Sequence, residues 1–106
     1  MVILVSGATE EDHPLVMGFE EGTQGIPTFD TLDEAQAFAE ATEAIFGSGW
    51  KPLALHAAEM AKALEGYVHS VEYAVLSPPP QLLASGGSVQ LIELRRYVEI
   101  LKTHRP

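Results

Sequence analysis

Short apolar runs alternate along this chain with segments of helical period, and that alternation leaves few architectures open. "VILVS" (2–6) is β-branched and stopped by Gly7, so it reads as a buried strand. "GATEEDHP" is a polar loop, "LVMGFE" (15–20) a second strand, and "EGTQG" a glycine turn. "IPTF" (26–29) is a brief extended stretch, expected at a sheet edge because Pro27 has no N–H to give to a ladder. "WKPLAL" (50–55) is another strand, with Leu53 and Leu55 on one face and Pro52 again pointing to an edge. "YVHSVEYAVL" (67–76) has the pattern of an interior strand. It sets Val71, Tyr73 and Val75 on one face and Val68, Ala74 and Leu76 on the other, and "SPPP" ends it.

Three segments carry the helical period. Thr31 and Glu34 form a capping box, in which the hydroxyl accepts a free N–H of the first turn and the carboxylate reaches back to the Thr31 N–H. Beyond the cap, Ala35, Phe38, Ala39, Thr42, Ile45 and Phe46 fall on one stripe that faces a core, and Gly47 stops the helix. The carboxylates of this segment are thereby assigned to the cap, the helix dipole and the wet side rather than to catalysis. Residues 56–66 form a short helix with Ala57, Met60, Ala61 and Leu64 inward and Gly66 at its end. "VQLIELRRYVEILK" (89–102) is the last helix, its stripe of Leu91, Leu94, Val98 and Leu101 widened by Tyr97 and Ile100. The order β-β-(β)-α-β-α-β-α predicts an α+β fold: a small two- or three-layer domain, a mixed sheet of 4-5 strands with three helices, and one domain over residues 1–106.

Charge narrows the partners. The net charge is −9, and residues 1–50 hold ten Asp and Glu and no Lys or Arg, against five acids and six bases in residues 51–106. Such a surface is a poor match for nucleic acid, whose phosphates need cations. It suits water, a basic protein partner, or the basic C-terminal helix of a neighbouring copy. With no cysteine, thiolate chemistry, disulfides and cysteine zinc sites are excluded. No apolar run has the length of a membrane span, so the expected location is the cytoplasm. The absence of asparagine resembles the composition of heat-adapted proteins.

Few residues suggest chemistry. Glu11, Asp12 and His13 are of metal-binding type, but consecutive side chains diverge and no recognised loop spacing is present, so a solvated loop is expected. His56 and Glu59 lie at helical spacing, and with His69 they define a possible pocket in which a histidine and a carboxylate could share a proton. "SGGS" (85–88) lacks the spacing of a phosphate loop, and Ser77 and Ser85 lack a nucleophile elbow. No catalytic residue, cofactor or metal is expected.

Three stretches nonetheless resemble a known family. "IPTFDT" leads into "LDEAQAFAEA"; "KPLALHAAEMAKALEG" is a short strand feeding a short helix; "EYAVLSPPPQLLASGGSVQLIEL" is a strand, a proline turn and a last segment. Together they resemble the N-terminal domain of the enhanced-serine-sensitivity (SseB-type) family of small bacterial domains over residues 25–101. The resemblance implies an α+β fold and brings no catalytic residues with it. The expectation is a non-catalytic protein-interaction or accessory module, paired as a homodimer through Leu91, Leu94, Val98 and Leu101. The alternative is a small-molecule-binding protein or enzyme with its pocket near His56, Glu59 and His69.

Overall fold

The computed structural model describes residues 1–6, 13–18, 22–47, 49–78 and 90–103. Its strands are β1 (Val2–Ser6), β2 (Met17–Gly18), β3 (Gln24–Phe29), β4 (Trp50–Ala54), β5 (Tyr73–Leu76) and β6 (Gln90–Glu93). Its helices are α1 (Leu32–Ala41), α2 (Glu43–Phe46), α3 (Ala57–Glu65) and α4 (Leu94–Thr103). The strands make one mixed sheet in the order β4-β1-β3-β5-β6, with β2 added beside β3. β3 and β5 are parallel and every other pair is antiparallel. This is the α+β class read from the sequence, with the strand expected at 15–20 reduced to the two-residue β2 and with β6 and the four-residue α2 as additions.

Alternation along the strands builds a core on each face. Val2, Leu4, Met17, Phe29 and Val75 meet Ala35 and Phe38 of α1 on one side. Ile3, Val5, Ile26 and Ala74 meet Met60, Ala61 and Leu64 of α3 and Leu94, Val98 and Leu101 of α4 on the other. The topology dictates this third layer. β3, β4 and β5 run in the same direction, and the chain crosses the sheet one way from β3 to β4 and back again from β4 to β5. With crossovers of one hand, two crossings in opposite directions must cover opposite faces.

β3 is not the edge expected from Pro27; it is the middle strand. The Glu72 and Ser77 N–H groups donate to the Gln24 and Thr28 carbonyls, so those two residues turn their backbone groups toward β5. Pro27, one residue out of phase, turns its nitrogen to the other side. There β1 reaches only Thr28 and Phe29 and β2 only Gln24 and Gly25, which leaves Pro27 in the gap between two partners where no donor is required. The same rule succeeds at Pro52, since β4 is an edge strand.

Helix boundaries differ from the periodic pattern for identifiable reasons. Thr31 accepts the Glu34 N–H at 3.1 Å, so that half of the capping box forms and stabilises the helix start by about 1 kcal/mol. The buried Thr42 donates its hydroxyl to the Phe38 carbonyl at 2.7 Å, and the helix breaks there into α1 and α2. Ile45 therefore leaves the inward stripe and is 61% exposed. The strand expected over 67–76 begins only at Tyr73, because residues 66–70 turn out of α3. Val71, freed from the alternation, packs on the opposite face from Val75. The final helix starts at Leu94, after residues 90–93 have paired with β5. Leu91 is thus an exposed residue of an edge strand, not part of a helical stripe.

Candidate functional site

His13 is exposed, and its backbone carbonyl accepts the Ser6 N–H at 3.1 Å; Glu11 and Asp12 lie outside the described residues. Among the described residues no three His, Asp or Glu side chains stand close enough to hold a metal.

His56 and Glu59 occupy the start of α3, where the Glu59 carboxylate accepts the His56 N–H at 3.1 Å. The carboxylate is engaged in capping the helix. His69 lies beyond the other end of the same helix, which at nine residues is about 13 Å long. The three residues therefore do not converge. His69 instead lines an open crevice of 330 Å³ with Glu72, Glu93 and Arg95, at the end of the sheet where β5 begins. Glu72 is committed there to the Gln24 N–H at 2.8 Å.

A second crevice of 430 Å³ lies at the opposite end of the β3–β5 pair, outside their carboxyl ends. Thr28, Phe29 and Asp30 come from the exit of β3, Leu76 and Ser77 from that of β5, Gln90 from the start of β6, Tyr97 from α4, and Met1 precedes β1. The buried Thr28 hydroxyl donates to the Val75 carbonyl at 3.2 Å, which ties the two parallel strands together at the floor. Ser77 holds φ at +42°, a left-handed conformation that costs a non-glycine residue about 1–3 kcal/mol and that concentrates at sites where geometry matters. Its N–H is fixed to the Thr28 carbonyl at 2.8 Å.

Tyr97 is the titratable group most affected by this setting. Burial raises its phenol above the ordinary 10.0; the neighbouring Thr28 hydroxyl opposes the rise, and the Asp30 carboxylate adds to it by repelling a phenolate. The stability carried by the neutral phenol is intact below pH 10 and is lost as pH climbs from there through the raised folded value. A spectrophotometric alkaline titration, with Tyr97→Phe used to isolate the Tyr97 step, should show that step above 10.0, and Asp30→Asn should lower its midpoint. A Tyr97 step at or below 10.0 contradicts the assignment.

The third feature is the layer formed by α1 and α2. Asp33, Glu34, Glu40 and Glu43 are all exposed on it, along with Leu32 and Ile45. Lys62, Arg95, Arg96 and Lys102 belong to the helices of the opposite layer, and Lys51 pairs with Val5, whose side chain faces that layer too. The lopsided charge of the sequence becomes a two-faced molecule. A shallow hollow of 130 Å³ on the acidic side is lined by Gln36, Ala39, Glu40, Glu43 and Trp50, whose indole N–H donates to the Phe46 carbonyl at 2.9 Å.

Neither the crevice at the carboxyl ends nor the sidedness of the charge follows from a motif. The first depends on which strands become parallel neighbours, and the second on which helix covers which face. No helix among the described residues is long and apolar enough to cross a membrane. Comparison with protein-family models, with curated proteins and with solved structures finds no match to this chain, so the family resemblance stands on its sequence motifs alone.

Proposed function

We propose that the chain is a non-catalytic interaction module of the cytoplasm that receives a basic segment of a partner protein on its α1–α2 layer. The observation that carries this is the segregation of charge. Four exposed carboxylates share that layer with two exposed apolar side chains, while every described lysine and arginine lies elsewhere. Charge of one sign on one face steers an oppositely charged partner and sets its orientation, and apolar side chains between the charges give the contact area to desolvate.

The partner in this reading is a different chain. A second copy docking its Arg95, Arg96 and Lys102 here would join head to tail, and such contacts build open-ended assemblies unless the rotation closes. A single 11.4 kDa species by light scattering separates the two cases.

Trp50 is the only tryptophan and borders the acidic hollow, so its fluorescence reports on this face. Titration with a basic amphipathic peptide should shift Trp50 emission, and Glu40→Gln with Glu43→Gln should weaken binding by about tenfold, as should raising the salt well above physiological strength. The control pair Glu65→Gln with Glu99→Gln, on the opposite layer, should leave affinity within about twofold. Equal losses from both pairs would reduce the effect to bulk charge and refute a dedicated face.

The small-molecule alternative no longer has a His56–Glu59–His69 pocket to draw on. It draws instead on the crevice at the carboxyl ends of the parallel strands.

A further inference from the structure

The crevice outside the carboxyl ends of β3 and β5 has the size and place of a ligand site. Its 430 Å³ falls within the range of small-molecule pockets, and in sheets with parallel strands ligands settle outside the carboxyl ends of those strands. Here Asp30 leads the chain from β3 into α1 on one face, while Tyr97 overhangs from α4 on the other.

The chemistry of the lining selects the ligand. One carboxylate, Asp30, stands exposed at the mouth. The hydroxyls of Ser77 and Tyr97 and the amide of Gln90 line the crevice with it, and Met1, Phe29 and Leu76 supply apolar surface. Among the described residues no lysine, arginine or histidine side chain lines the crevice, and Met1, with its α-ammonium, is the one described lining residue that brings a positive charge. The nearby start of α1 would attract an anion by its dipole, but Asp33 and Glu34 already occupy that first turn. The Thr28 hydroxyl is engaged with the Val75 carbonyl and the Tyr97 phenol, so it offers the crevice no free donor. Among its described side chains the crevice is thus rich in acceptors and poor in cationic donors. Its strained corner at Ser77 holds one of those acceptors in place.

We propose that this crevice binds a small organic cation, an alkylammonium or guanidinium compound whose charged head is held by Asp30 with the Ser77 and Tyr97 hydroxyls while its apolar stem lies along Leu76 and Met1. The site is independent of the α1–α2 face and stands or falls separately from it.

Amide NMR of the ¹⁵N-labelled chain, titrated with agmatine, with butylamine, and with butyrate and inorganic phosphate at matched ionic strength, decides the matter. Agmatine or butylamine should move the amides of Asp30, Ser77 and Gln90 along saturating curves, and the two anions should not. Asp30→Asn should weaken the cation by about tenfold or more, the loss expected for one charge-assisted hydrogen bond. Tyr97→Phe should weaken it less, and Glu43→Gln, a carboxylate on the distant layer, should change it by less than about twofold. Asp30 is exposed, so its substitution leaves the core intact, and the dispersion of the variant's spectrum verifies the fold. Shifts spread over α1 and α2, equal losses from Glu43→Gln and Asp30→Asn, saturation by either anion, or no saturable shift up to about 10 mM of either cation each overturn the proposal.

Discussion

Replacing Phe38 by alanine should lower the stability of the protein by about 3–5 kcal/mol, the cost of emptying a fully buried aromatic site. Phe38 has no exposed surface and is the largest side chain that seats α1 on the sheet. Its ring lies 5.4 Å from that of Phe29 at a tilt of 51°, and 6.4 Å from that of Phe46 in a near-stacked arrangement. One ring therefore joins β3, α1 and α2, and alanine would break both aromatic contacts as well as leave a void. Against a total stability of about 5–15 kcal/mol for a domain of this size, the variant should be partly unfolded at body temperature, with a melting temperature roughly 15–25 °C lower. Thermal melts by circular dichroism give the number. Trp50, hydrogen-bonded to Phe46 in the same cluster, should report the loss by fluorescence. A variant as stable as the parent would mean that α1 is not seated on this face at all.

The second large effect is expected at Leu94, and it discriminates between two readings of the C-terminal helix. Taken as a helical stripe, Leu91, Leu94, Val98 and Leu101 invite a second copy. In the structure Leu94, Val98 and Leu101 are 0%, 4% and 2% exposed within a single chain, packed in the core with Met60 and Leu64 of α3. Leu94 also sits at the junction of β6 and α4, where its N–H donates to the Glu72 carbonyl at 2.9 Å. Leu94→Ala should accordingly cost about 2–5 kcal/mol at any protein concentration and leave the molecular mass in solution unchanged. Were Leu94 at a dimer interface, stability would rise with protein concentration and the substitution would change the mass instead. Chemical denaturation at two concentrations tells them apart. Leu91 and Ile100, both exposed, remain available to a partner.

The stretches that sequence pattern placed well are those whose structure rests on local contacts. The start of α1 follows from a hydroxyl and a backbone N–H three residues apart, and the inward residues of α3 from helical spacing. β1 is a β-branched run buried on both faces. Errors arose wherever a distant partner decided. Pro27 depends on which strands flank it. Residues 90–93 carry a pattern that fits a helix, but β5 offers them a ladder, and pairing with it takes them out of α4. Val71 obeys the alternation only if the strand begins before it, and the turn out of α3 prevents that. For the site, His56 and His69 are close enough in sequence to suggest a pair, but α3 intervenes as a rigid spacer. Thr28, Ser77 and Tyr97 look unrelated in the chain, yet the parallel pairing and the packing of α4 bring them to one crevice.

The vacancy beside Pro27 also bears on how the sheet avoids error during folding. Sliding β1 along β3 by two residues would preserve which side chains face inward, so burial alone would not forbid it. It would, however, ask a nitrogen without hydrogen to complete a rung. The imino acid in the middle of the sheet thus acts as a latch against misregistered pairing: it lets two different segments share one side of β3 and keeps either from creeping into the other's place.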